Sequence, residues 1–260
     1  MTVVPIDART VLHHGGRWTS WRAGEREWLW QNPRVTAAQR AGVRPGAAFV
    51  DAGGAEECFP TVRGRPDHGD AWSRPWRGST AAASVEVPGL GVLHRSVAAA
   101  TALRLDYRIE GRSGTPFLHA LHALLAVSQD AVLELPEART MIVLDQPDPC
   151  RRWPSGLDRL GPDDGTAVCA LVPDVGRAVI IDGADSLELE WSCPQAPDRC
   201  SLLLWRNLAG WPEDAPYRSI GIEPMVGRAA DVSAADPGDC ARIGGSGSLS
   251  WSLRVRARSG

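Results

Sequence analysis

The sequence predicts an all-β protein made of two packed antiparallel sheets. The first observation behind this is a period of two. In "ALRLDYRIE", Leu103, Leu105, Tyr107 and Ile109 alternate with Arg104, Asp106, Arg108 and Glu110. In "LSWSLRVRA", Leu249, Trp251, Leu253 and Val255 alternate with Ser250, Ser252, Arg254 and Arg256. Such alternation marks strands with one buried and one wet face. The second observation is that no long segment holds a helical period. The third is the spread of 20 prolines and 27 glycines along the chain, which suits many short connections.

Between the two clearest strands the chain predicts five more: 131–136 ("AVLELP"), 166–172 ("TAVCALV"), 177–182 ("RAVIID"), 186–192 ("SLELEWS") and 201–207 ("SLLLWRN"). Turn-rich stretches such as "LGPDDGT", "PDVG" and "CPQAPDR" separate them. The most loop-like stretch, 231–248, is followed by a good strand and reads as an internal loop rather than a linker. The expectation is one domain over 1–260.

Composition removes several function classes. A net charge of −3 offers no electrostatic footprint for nucleic acid. No apolar run approaches the ~20 residues of a membrane span. The first residues lack a basic stretch followed by an apolar one, so a cytoplasmic location is expected. All 28 basic residues are arginine, which excludes a lysine Schiff base, a lysine general base and a Walker-type phosphate lysine. None of the six cysteines (58, 150, 169, 193, 200 and 240) forms a CxxC pair, so free thiols are expected, with Cys193 and Cys200 the nearest candidates for oxidation. Neither HxH nor HExxH occurs, and no GxSxG elbow, so metal and serine-nucleophile readings are weak. Eleven tryptophans stand against three phenylalanines; an indole anchors a core or lies against the apolar face of a sugar ring.

Histidines and carboxylates remain. His68 stands in "PDHGDAWSRPW", where the following glycine permits a positive φ or a close backbone approach. An imidazole titrating near 6.5 suits proton transfer; the plain alternative is a surface loop histidine. His119 and His122 stand in "FLHALHALLAV", and their spacing of three places them on opposite faces of a strand, so at most one meets a given pocket. Glu223 in "SIGIEPMVG" follows Ile220 and Ile222 and precedes Pro224, which favours an extended backbone at the glutamate. A carboxylate among such neighbours must be solvated, paired or functional.

Taken in order, "GGAEECFPT", "PDHGDAWSRPW", "PFLHALHALLAV", "LLLWRNLAGW" and "IGIEPMVG" resemble the aldose 1-epimerase, or galactose mutarotase-like, superfamily over roughly positions 28–228. The resemblance implies an antiparallel β-supersandwich with a sugar cleft on one sheet and no cofactor. It implies that His68 is the general acid at the ring oxygen and Glu223 the general base at the anomeric hydroxyl. It places His122 as a sugar-holding histidine, although the family's "HP(Y/L)F" reads "HALL" here. "HGDAWSR" likewise stands where "HGFAR" is common. Glu57, Trp72 and Arg74 are the further expected substrate contacts. Asp158 is a loose candidate for the family's hydroxyl-binding aspartate.

Anomer exchange needs only a base at the C1 hydroxyl and an acid at the ring oxygen, each a general acid–base effect of about 10²–10⁴-fold. The acid role asks that His68 be charged, with Asp67, Asp70 or Glu57 as carboxylates able to raise its pKa. The expected partner is a small sugar or cyclic hemiacetal; Arg63, Arg65 and Arg74 raise the narrower question of a phosphosugar. Two other readings stand beside this one. One is a carbohydrate-binding protein without turnover. The other is an isomerase or cyclase acting on a specialised metabolite in the same cleft.

Overall fold

A computed structural model describes all 260 residues. Every strand the period-two reading proposed is present, and the expectation of an all-β sandwich holds. A nine-stranded sheet contains the strands Leu103–Gly111 and Ser248–Ser259 at its centre, flanked by Asp185–Ser192 and Gly91–Ala99. A ten-stranded sheet contains, in neighbouring order, Thr166–Pro173, Cys200–Trp211, Tyr217–Val226, His119–Leu125, Ala55–Cys58 and Arg17–Ala23. All pairing within both sheets is antiparallel. The segment 131–136 is shorter than its pattern suggests, with only Val132–Glu134 in the ladder. The 231–248 stretch is a loop carrying one two-residue strand, Ala241–Arg242.

The alternating residues of the sequence do what the pattern asks. Leu103, Leu105, Ile109, Leu187, Leu189, Leu253 and Val255 turn inward, and one continuous core runs from Ile6 to Ala257 between the sheets. A smaller apolar cluster lies on the other face of the ten-stranded sheet, built from Cys58, Leu118, Ala120, Leu171, Leu203 and Met225. Val62 and Cys240 from loops join it, and Val232 and Ala235 pack against it. All six cysteines are free thiols. No helix is long and apolar enough to cross a membrane.

Candidate active site

The outer face of the ten-stranded sheet carries the site. Ala120 pairs with Met225 and Leu124 with Gly221, so His122 stands directly across from Glu223. On its other side His122 pairs with Glu56. Residues opposed across an antiparallel ladder share a face, so Glu56, His122 and Glu223 form one row. Between Leu121 and Ala123 the ladder to Ile222–Pro224 is interrupted. Pro224 has no N–H to offer there, and the two strands meet through side chains instead: His122 Nδ1 lies 2.8 Å from Glu223 Oε1. The second carboxylate oxygen, Oε2, is buried and has no hydrogen-bond partner.

His68 reaches the row from a loop. Its φ is +60° and that of Gly69 is +71°. Both residues are left-handed because the chain reverses tightly against Phe59: Asp70 N–H donates to the Phe59 carbonyl (2.7 Å) and His68 N–H to that of Val62 (2.8 Å). A Cβ at Gly69 would strike the Phe59 backbone. The glycine thus serves a close approach of chain to chain, and a non-glycine residue beside it bears the strain of the left-handed region. The His68 and His122 rings meet edge-on with centroids 5.0 Å apart. Phe49, from the loop before Ala55–Cys58, lies flat on His68 at 3.5 Å and edge-on to His122. The sequence pattern gave no sign of this roof.

The charges are distributed unlike the expectation. Burial, and then the nearby charge of His122, hold His68 below its ordinary 6.5 despite Asp67. His68 Nδ1 is 3.1 Å from Asp67 Oδ2, but without the direction of a hydrogen bond. Burial also works against a charge on His122, yet the Glu223 carboxylate more than offsets it and carries the ring up to about 9. The resting imidazolium is therefore His122. Glu56 is clasped in two bonds by Arg40 (2.9 and 3.1 Å), with Arg17 at 3.5 Å. Burial pushes its carboxyl up to about 7 against the pull of Arg40, Arg17 and His122.

His68, His122 and Glu223 are thus brought together, while the other expected contacts are placed elsewhere. Glu57 needs correction. It is the neighbour of Glu56 in a strand, so it turns to the opposite, inner face and is fully buried among Arg95 (2.7 Å), Tyr107 (3.1 Å) and His119 (2.9 Å). It therefore does not join the row, and it is not among the charges that shift His68. His119 goes with it, as the spacing of three required, and Trp251 Nε1–H donates to its Nδ1. Trp72 is wholly buried beneath Phe49 and beside the Arg40 guanidinium, a wall under the roof rather than an open surface. Arg74 pairs with its own loop through Asp70 (3.1 Å), and Arg63 pairs with Asp145. Trp205 borders Glu223. It pairs with Gly221, and a Cβ on that glycine would lie 3.0 Å from Trp205 Cβ and 2.8 Å from Glu223 Oε1. No group of three His, Cys, Asp or Glu side chains is spaced to hold a metal ion.

Chemically, the row offers an orphaned carboxylate oxygen, a charged imidazole holding its twin, and a second, neutral imidazole within one ring's reach. No family model matches the chain, and no curated protein does. Among solved structures it is similar to the Slr1438 protein of Synechocystis sp. PCC 6803, with 16% identity, a TM-score of 0.75 and 99% and 96% of the two chains covered. A protein of Escherichia coli K12, described provisionally as an aldose 1-epimerase, shows 14% identity and a TM-score of 0.74 over 99% of both chains. A galactose mutarotase related enzyme of Lactobacillus acidophilus shows 12% identity and a TM-score of 0.63 over 99% and 98%. At these identities the likeness shows the fold, which is the galactose mutarotase-like sandwich.

Proposed function

We propose that the chain is an isomerase that interconverts the anomers of an aldose, or of a related cyclic hemiacetal, by opening and reclosing the ring. The observation that supports this most is Glu223: a buried carboxylate with one oxygen held by His122 and the other without a partner. A buried acceptor left unmatched is costly, and a substrate hydroxyl supplies the missing donor. The descriptions of the E. coli and Lactobacillus proteins point the same way.

In this reading Glu223 Oε2 takes the proton of the C1 hydroxyl while His68, in its protonated form, gives one to the ring oxygen. The C1–O5 bond breaks, leaving an open-chain aldehyde. Rotation about C1–C2 presents the other face, and the same two groups reverse their roles on closure. His122 carries a positive charge against Glu223 Oε1 and faces the charge that develops during the reaction. Two groups held in different protonation states by their surroundings are what such chemistry needs. Because Glu223 Oε2 is shut off from solvent and Phe49 covers His68, substrate enters by displacing the 42–54 loop.

NMR exchange spectroscopy on α- and β-glucose and galactose tests the proposal. Wild-type protein accelerates exchange over buffer, and Glu223→Gln removes the acceleration. Equal rates for the two proteins would refute the base role.

A further inference from the structure

Beyond the acid–base row, the same face carries an aromatic cluster that the reaction does not use. Trp205 borders Glu223 through Gly221, and its indole is fixed by an Nε1–H bond to Ser219 Oγ (3.0 Å). Trp211 stands next, its ring centroid 6.0 Å from that of Trp205 and 6.3 Å from that of Tyr217. Tyr217 in turn donates its hydroxyl hydrogen to Asp51 Oδ2 (2.6 Å), on the loop that carries Phe49. The cluster therefore runs without a gap from the candidate base to the edge of the roof.

Trp211 is 48% exposed, and outside the N-terminal residues Met1 and Val3 it is the large hydrophobic side chain most open to water. Its exposure is built in. Asn207, with no solvent exposure, spends its whole side chain on this turn: Nδ2–H donates to the Trp211 carbonyl (2.9 Å), and Oδ1 accepts from the N–H of Gly210 and of Trp211 (3.0 Å each). Those bonds hold a bulge in which Ala209 has φ +62°. A fully buried amide committed to this turn fixes the backbone from which the exposed indole projects, which lowers the ordering cost of binding. Flat aromatic surface of this kind suits the apolar C–H face of a sugar ring, with polar groups at its edge.

We infer that Trp211, with Trp205 and Tyr217, forms a second sugar subsite, so that the preferred substrate is a reducing saccharide of more than one ring. The reacting ring sits over Glu223 and the next ring lies on Trp211. This rests on the reading of the row as a sugar site and specifies its substrate class.

Two measurements test it. In the first, kcat/KM for anomer exchange is compared between glucose or galactose and the reducing disaccharides maltose, cellobiose and lactose. At least one disaccharide should be preferred by about tenfold, the factor that 1.4 kcal/mol of added contact gives. In Trp211→Ala that ratio falls to about one, and in Trp211→Phe most of it returns. In the second, tryptophan fluorescence is titrated with the same disaccharides in Glu223→Gln, which separates binding from turnover. Tighter binding of a disaccharide than of its monosaccharide, lost on adding Trp211→Ala, supports the subsite even if no sugar is turned over. Equal kcat/KM for one and two rings, or a preference that survives Trp211→Ala, overturns it and leaves the role of Glu223 standing. A wild-type dimer that becomes monomeric in Trp211→Ala, with no change in sugar preference, also overturns it, because the indole then serves a second copy.

Discussion

Replacing Arg95 with alanine separates a core role for Glu57 from a role in the cleft. Arg95 is 1% exposed and lies between the sheets. It donates to Glu57 Oε1 (2.7 Å), to the Gly16 carbonyl (2.8 Å) and to Thr10 Oγ1 (3.1 Å), and its guanidinium lies over the rings of Trp18 and Trp76. Removing it leaves Glu57 charged in a dry interior with only Tyr107 and His119 beside it. His119 Nδ1 accepts the Trp251 Nε1–H and its Nε2 lies 2.9 Å from Glu57 Oε2, so the carboxylate keeps that contact but loses its guanidinium. Breaking a buried pair from one side costs about 3–5 kcal/mol, and the Gly16 carbonyl adds about 1. Against a typical total of about 5–15 kcal/mol, Arg95→Ala folds marginally.

Urea denaturation at neutral pH measures this loss. The double variant Arg95→Met with Glu57→Gln, which removes both charges, should recover most of it, giving a large coupling in the mutant cycle. The pH arm has a definite sign. Burial tends to raise the Glu57 pKa, but His119 and Arg95 outweigh it and hold the group below its ordinary 4.5. Its contribution to stability is present above 4.5 and is lost as pH falls through the lower folded value. A cost under about 1 kcal/mol for Arg95→Ala, together with loss of sugar turnover in Glu57→Gln, would refute this placement and return Glu57 to the cleft.

Three further outcomes follow from the site. The His122 ring should titrate near 9 by NMR and drop sharply in Glu223→Gln; since the folded pKa is the raised one, the stability it brings is complete below 6.5 and is lost as pH rises through about 9, so an unmoved titration would contradict the pairing. Phe49→Ala uncovers His68 and should move its pKa back up toward 6.5; no movement would mean that the roof does not set it. Gly69→Ala forces a Cβ into the Phe59 backbone at φ +71° and should cost about 2 kcal/mol or more in thermal or urea unfolding, with a neutral result refuting the close approach.

The strands were legible because burial on one side writes itself into every second residue, as along Leu103–Ile109 and Leu249–Val255. The same rule separates His119 from His122 by their spacing of three. It failed at the pair Glu56–Glu57, where adjacent identical residues must go to opposite faces and nothing local says which goes where. It also gave no access to Phe49, Arg17 or Arg40, which come from loops, a strand end or a five-residue helix and reach the site only through the chain's path. The order of strands was equally hidden. Trp72, expected as an open substrate contact, is wholly buried beneath Phe49 instead, because its tight loop drives it inward. The charge of His122 depends on a cross-strand register that a sequence does not display.

Anomer exchange measured against pH, for wild type and Glu223→Gln, bears most directly on the proposed chemistry. Wild-type protein should accelerate exchange of a reducing sugar, with activity falling as pH rises past the lowered His68 value and well before 9, and Glu223→Gln should bring the rate down to that of buffer. A rate that stays level up to about pH 9 would give the acid role to His122 instead. Exchange unaffected by Glu223→Gln at every pH would contradict the acid–base row itself.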